Sequence, residues 1–336
     1  MTALVEVEDL TVTIGGPRRE KRILRGVTFA IAAGQIHGLV GESGAGKSMT
    51  GRAISRLLPD NAKVGGSITF GGQDVLGLRG KALLDYRARS VATIFQDPST
   101  HLNPLRRISD FMTESLTTMG GLRYREAVSR GCDLLVEVGV ADPSRVMDQY
   151  PHQLSGGLLQ RIMIGGALSL EPRLLIADEP TTALDTTTQT DVMGLLERLR
   201  RDHDMAVLLI THDLMLAASA CDRIGVLYAG ELLEHGGAED IYHRPLSPYT
   251  RGLLASRPDV TTTTRRLPVI PGRPLSADDA PSGACSFVDR CGLVTPECRT
   301  GAIPLARAGD RLVRCIHADA EAVAQDRAPV SERTRT

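Results

Sequence analysis

The sequence predicts an α/β fold: a mostly parallel sheet built around a phosphate loop, with an antiparallel β portion, a helical insert and a small C-terminal module. Three observations carry this. Short apolar runs at 35–40, 174–177 and 206–210 are each followed by a helix-like segment, the alternation of a parallel sheet. A glycine-rich octapeptide, Gly41-Glu42-Ser43-Gly44-Ala45-Gly46-Lys47-Ser48, lies between the first of these runs and its helix. Four cysteines, Cys285, Cys291, Cys298 and Cys315, cluster late in the chain.

The elements follow in order. Residues 4–14 alternate apolar and polar at period two, so they read as a half-buried strand. Residues 67–78 repeat that character around the pair Gly71-Gly72. Residues 35–40 are a short buried strand, and 47–58 a helix with Met49, Ala53, Ile54 and Leu57 on one face. Residues 109–170 read as helix in three pieces, broken near Gly120 and at Asp142-Pro143. The strand 174–177 leads into a helix at 187–201, and the strand 206–210 into one at 213–220. Composition shifts near Arg257: Pro258, Pro268, Pro271, Pro274, Pro281 and the threonines 261–264 read as a linker. A cysteine-containing module follows, to about His317, and the aperiodic tail 318–336 is expected to be disordered.

Composition excludes several classes. Of the 336 residues 42% are apolar and 24% charged, which is ordinary for a globular protein. No apolar run approaches the ~18 residues of a membrane-spanning helix, and the first 25 residues carry charges throughout, unlike a secretory signal. A net charge of −1 gives no reason to expect nucleic acid as a partner. Cysteines in a chain without such a signal are not expected to form disulfides. Cys132 and Cys221 sit in apolar helical stretches and read as core.

The octapeptide fits the phosphate-loop pattern in its required strand–loop–helix context. Its glycines let backbone N–H groups face phosphate oxygens, and the helix N-terminus, from Lys47, Ser48 and Met49, adds a positive dipole end. Lys47 is the expected β/γ-phosphate contact, and Ser48 an expected Mg²⁺ ligand. The run Leu174-Leu175-Ile176-Ala177-Asp178-Glu179 supplies the acidic partner at the carboxyl edge of the sheet. Asp178 is expected to hold Mg²⁺, and Glu179 to orient or deprotonate the attacking water.

Further motifs make a family resemblance specific. Leu154-Ser155-Gly156-Gly157 before an apolar helix resembles the signature loop of ABC-transporter ATPases. Gln96 resembles that family's Q-loop glutamine, Ala183-Leu184-Asp185 its D-loop, and His212 in Ile-Thr-His-Asp its switch histidine. The resemblance covers about residues 4–255. It implies an ATPase domain over 1–255 with a helical subdomain at about 98–170, two such domains meeting head to tail, and ATP held between the phosphate loop of one and Ser155, Gly156, Gly157 and Asp185 of the other. It also implies that His212 senses the γ-phosphate and that Gln96 joins the Mg²⁺ site to the membrane subunits. Two departures stand out. Leu158 occupies a position where many members have Gln or Met. Ile14, in the stretch where the family places an aromatic ring against adenine, offers apolar contact without stacking and leaves the base preference open.

The segment His243-Arg244-Pro245-Leu246-Ser247-Pro248-Tyr249-Thr250 and the cysteine quartet resemble the C-terminal extension, here 256–317, of the peptide/nickel importer ATPases. In some members four such cysteines hold a [4Fe–4S] cluster. Four thiolates in a small module suit a soft metal. Zinc and no metal at all stay open, since the gaps exceed the Cys-x-x-Cys spacing usual for zinc. Nothing in the sequence places this module near the phosphate loop. The resemblance implies the ATPase of a di- or oligopeptide importer, peripheral on the cytoplasmic face of the membrane. Its expected partners are two transmembrane permeases, a second ATPase subunit in a heterodimer and an extracytoplasmic binding protein. A nickel or metallophore importer of the same family is the alternative. Non-transport ABC ATPases with long coiled coils fit less well, because only 108 positions separate Lys47 from Ser155.

Overall fold

The computed structural model describes residues 3–16, 19–182, 185–256 and 268–318. In chain order its strands are β1 (Ala3–Gly16), β2 (Arg19–Ala32), β3 (Ile36–Val40), β4 (Ala62–Phe70), β5 (Gln73–Asp74), β6 (Val91–Ile94), β7 (Leu174–Asp178), β8 (Ala206–Thr211), β9 (Arg223–Tyr228), β10 (Glu231–Gly237), β11 (Ala306–Ala308) and β12 (Arg311–Val313). They form two sheets. The smaller is antiparallel, in the order β2-β1-β4-β5, and the larger runs β11-β12-β10-β9-β3-β8-β7-β6. From β9 to β6 the larger sheet is parallel, and its remaining pairs are antiparallel.

Every residue of β3 and β8 is buried, His37 and Thr211 included, which is why neither strand shows the period-two alternation of a half-buried one. Alternate side chains serve two cores. Leu39, Leu208 and Ile210 join the core beneath the small sheet, while Val40, Val207 and Leu209 join the core beneath the helical insert. The main sheet is therefore the middle of three layers.

Sequence and structure differ in instructive places. The helix expected over 47–58 ends at Ile54. Ser55 Oγ donates back to the Gly51 carbonyl at 3.0 Å, Arg56 takes a left-handed φ of 59°, and Leu57 is left 42% exposed. The stretch read as three helical pieces has four α-helices, Ile108–Thr118, Tyr124–Glu137, Pro143–Met147 and Gly156–Ala167, and the short helix Pro98–His101 precedes them in the insert. The additional break comes from Pro151, which opens a 3₁₀ turn, and from Ser155, whose side chain caps the last helix. β2 escaped the period-two reading because its charged residues at 19–22 obscure the alternation that follows.

The cysteine module does not stand apart. β12 pairs with β10 in the register Glu234↔Val313 and His235↔Leu312, so the module extends the main sheet. Phe287 packs against Tyr228 and Tyr249 with ring centroids 5.3 and 5.2 Å apart. The first part of the proline-rich linker, 257–267, and the tail from 319 lie outside the described residues. Among the described residues no helix is long and apolar enough to cross a membrane.

Candidate nucleotide site

β3 delivers the chain into the phosphate loop, and two glycines there have no substitute. A Cβ on Gly41 would sit 2.1 Å from the Leu227 carbonyl oxygen. Gly46, at φ 104°, would place one 2.6 Å from Leu24 Cδ2. The loop thus threads between β2 and β9, and only backbone fits. Lys47 is buried within it, donating from Nζ to the carbonyls of Gly41 at 2.7 Å and Glu42 at 3.1 Å. Burial lowers its pKa, opposed by the nearby Glu179, Asp178 and Glu42 carboxylates.

Ser48 Oγ donates to Asp178 Oδ1 at 2.9 Å. Burial raises the Asp178 pKa against the lowering effect of this hydrogen bond, and Glu179 raises it further. Hydroxyl and carboxylate oxygens in contact are the donor set a hard divalent cation selects, so the pair fits Mg²⁺. Glu179 follows at the strand end with φ 49°, a sparsely populated conformation for a residue with a side chain. Its backbone N–H donates to the Ile210 carbonyl at 2.8 Å, which locks the turn to β8. Three side chains then converge on the carboxylate. Gln96 Nε2 and Thr182 Oγ1 donate to Oε2 at 2.9 and 2.8 Å, and His212 Nδ1 lies 3.5 Å from Oε1. Gln96 follows β6, Glu179 follows β7 and His212 follows β8, so adjacent strand ends assemble the group.

These residues face a cavity of about 750 Å³, lined by residues 43–49, Gln96, Glu179 and His212, together with 21–23 of β2 and 276–279 of the C-terminal module. Gly41 and Glu42 are not on its wall, and Asp178 stands behind Ser48. Ser155, Gly156, Gly157 and Asp185 also lie off the wall. Ser155 and Asp185 cap their helices, accepting from the N–H groups of Leu158 at 3.4 Å and Thr188 at 3.0 Å. The Thr188 side chain and N–H hold the Asp185 carboxyl below its usual range. Ala183 and Leu184 lie outside the described residues.

One expectation is corrected, and one point on which the sequence is silent is filled in. Ile14 does not reach the cavity: it pairs across the hairpin with Lys21, and β2 instead brings Ile23 to the wall. The cysteine module is not remote from the phosphate loop. Besides the wall at 276–279, Arg290 reaches Glu42 through two hydrogen bonds, Nη1 to Oε2 at 2.5 Å and Nη2 to Oε1 at 3.0 Å. Sequence reasoning also passed over Thr182. Its place three residues after Glu179 was the available signal, whereas the contacts of Ile23, 276–279 and Arg290 span too much chain for any local pattern.

All four module cysteines are free thiols and line one pocket with His317, whose Nε2 is 3.5 Å from Cys298 Sγ. Burial pushes the Cys285 thiol up to about 11, helped by Cys298, Cys315 and Cys291. Among the described residues no three ligand-type side chains are grouped to hold a single metal ion. As it stands the module does not fit a four-thiolate zinc site, and convergence on one pocket is the only feature in favour of a larger soft-metal group. Cys221 is buried and its thiol pKa is raised by burial, as a core cysteine; Cys132 is half-buried.

Comparison with known proteins gives two family matches: "ABC transporter" over residues 24–182, and "Oligopeptide/dipeptide transporter, C-terminal region" over 233–298. The chain is 42% identical to the oligopeptide transport ATP-binding protein OppD of Salmonella typhimurium, over 86% of each chain. It is 41% identical to the dipeptide transport ATP-binding protein DppD of Haemophilus influenzae, over 93% of this chain and 95% of that one. Among solved structures, the ADP- and phosphate-bound dimer of the ATP-binding cassette MJ0796 superposes with a TM-score of 0.62 at 27% identity, covering 70% of this chain and 98% of that one.

Proposed function

The chain belongs to the ABC transporter ATP-binding subunits of the oligopeptide/dipeptide type, and from that premise we propose that it hydrolyses ATP to drive import of di- or oligopeptides. The observation that carries the reading is the group at the cavity rim: Lys47 and Ser48 at the phosphate end, and Glu179 held by Gln96, Thr182 and His212 beside them.

An ABC ATPase uses ATP and Mg²⁺, and the metal supplies charge neutralisation on the phosphates. Ser48 and Asp178 would hold that metal. Lys47 is a buried cation whose hydrogen bonds to two loop carbonyls can be exchanged for phosphate oxygens. Glu179 accepts a proton from the attacking water through its carboxylate, and Gln96 and Thr182 fix the direction in which it accepts. His212 is placed to join the same network.

Membrane permeases are the partners of such a subunit. The finer assembly is our reading: two transmembrane permeases, an extracytoplasmic binding protein and a second ATPase chain in a heterodimer, with this chain peripheral on the cytoplasmic face of the membrane. The placement of Ser155, Gly156, Gly157 and Asp185 away from this chain's own cavity supports a head-to-tail pair in which they complete the partner's site. We also propose that Cys285, Cys291, Cys298 and Cys315 are the ligands of a [4Fe–4S] cluster, supported by their convergence on one pocket. Equal amounts of iron and acid-labile sulfide in anaerobically purified protein would support it, and their absence would remove it.

The cargo is tested by uptake of radiolabelled di- and oligopeptides in the source cell, comparing wild type with Glu179→Gln. Loss of uptake with the variant expressed establishes the peptide reading. Unchanged peptide uptake with lost nickel uptake would move the chain to the metal importers of the family.

A further inference from the structure

We propose that Arg290 of the C-terminal module is a positioning residue for the phosphate loop, acting through Glu42. The inference rests on the ATPase reading and adds a part to that site.

Glu42 is the second residue of the loop, yet its side chain does not face the cavity. It turns to meet the guanidinium of Arg290 in the two-point geometry that a planar fork gives with a carboxylate. The arginine is 4% exposed and is fixed in turn. Its Nε donates to the Pro271 carbonyl at 2.8 Å, and its guanidinium lies over the rings of Tyr228 and Phe287, 5.5 and 5.8 Å from their centroids. The backbone of Glu42 is held at the same time. Its N–H donates to Tyr249 Oη at 3.0 Å, and its carbonyl accepts from Lys47 Nζ at 3.1 Å. Every polar group of residue 42 is thereby engaged, two of them by residues more than 200 positions away.

A buried ion pair far from any site would only add to or subtract from stability. This one seizes the residue directly before the segment 43–49 that walls the cavity. Fixing Glu42 therefore fixes where the following N–H groups point, which is the property a phosphate cradle requires. Arg290 also directly precedes Cys291, so a change in the cysteine pocket has a path of two side chains to the loop.

The test uses the full chain on a Glu179→Gln background, so that bound ATP persists. The dissociation constant for Mg²⁺-ATP is measured calorimetrically for Arg290→Met, Glu42→Gln and the double variant. Each single change should weaken binding by about tenfold, an ordinary coupling between linked sites. The double variant should be no weaker than the singles, because both remove one connection. Arg290→Lys, which keeps the charge and loses the fork, should fall between. Unchanged affinity in Arg290→Lys and Arg290→Met with a lowered melting temperature would make the pair merely structural and overturn the proposal. So would additive losses in the double variant. A background chain that binds no ATP at all would instead sink the ATPase reading. Hydrogen exchange gives an independent arm: Mg²⁺-ATP should slow exchange across 285–298, and Glu42→Gln should abolish that effect. No slowing in the unsubstituted chain would also overturn the proposal.

Discussion

Ser48 Oγ and Asp178 Oδ1 lie 2.9 Å apart, although 130 positions separate them in the chain. The contact exists because β3 and β7 both flank β8, so the loop leaving one strand and the carboxylate ending another meet at the same edge of the sheet. A hydroxyl and a carboxylate brought together there form half of a hard-cation site before nucleotide arrives.

Glu179→Gln keeps the shape at the end of β7 and removes the proton acceptor. ATP binding should persist while hydrolysis falls by roughly 10²–10⁴-fold. Lys47→Ala should do the opposite and weaken ATP binding itself by about 10–100-fold, the value of a lost charge-assisted hydrogen bond. Parallel binding and single-turnover measurements separate the two. Wild-type turnover in the glutamine variant would take the acceptor role away from Glu179.

Ser155→Ala should leave ATP affinity of the isolated chain within about twofold, because Ser155 is off this chain's own cavity wall. The same change should slow hydrolysis in the assembled transporter and lower helix stability by about 1 kcal/mol through the lost cap. A large loss of affinity in the isolated chain would contradict the head-to-tail arrangement.

His37 and His235 predict a pH dependence of stability. Their Nε2 atoms are 3.0 Å apart and both rings are buried. Burial, then His235, lowers the His37 pKa, while burial, then Arg223, brings His235 down to about 4. Unfolded histidine titrates near 6.5, so between these values the unfolded chain binds the extra protons. Stability is therefore complete above about 6.5 and is lost as pH falls toward 4. Melting curves from pH 7 to pH 4 should show this slope, and His235→Gln should flatten it. An unchanged slope in that variant would clear the pair.

Ending the chain after Ser256 removes β12 from β10 and Arg290 from Glu42. An open strand edge and a Glu42 side chain freed from its anchor should leave the truncated protein aggregation-prone and poor at binding ATP. Size-exclusion chromatography and ATP titration check both. A monomeric truncation with full affinity would show the module to be dispensable.

The sequence made the local chemistry legible because each motif is short and its residues act where they stand. Gly46, Lys47, Ser48, Asp178 and Glu179 were readable from a strand, a loop and a helix in succession. Contacts made across sheets were not. Ile23 on the cavity wall depends on the register of β1 with β2, and Arg290 depends on a module returning to the loop after more than 240 residues. The early end of the first helix turned on Ser55 back-bonding and Arg56 entering left-handed space, competitions that periodicity does not weigh.

The sheet order has a consequence during synthesis. β3 lies between β8 and β9, and neither neighbour has been translated when the phosphate loop leaves the ribosome. At ~5–20 residues per second, roughly 10–30 s pass before residues 206–211 emerge to pair with it. Through that interval β3, apolar but for His37, lacks both of its sheet partners. The hairpin of β1 and β2, joined by β4, is complete by residue 70 and presents the face that later covers one core. The small antiparallel sheet is thus the first partner complete for the face of β3 that carries Leu39, and mutations that loosen it should lower soluble yield.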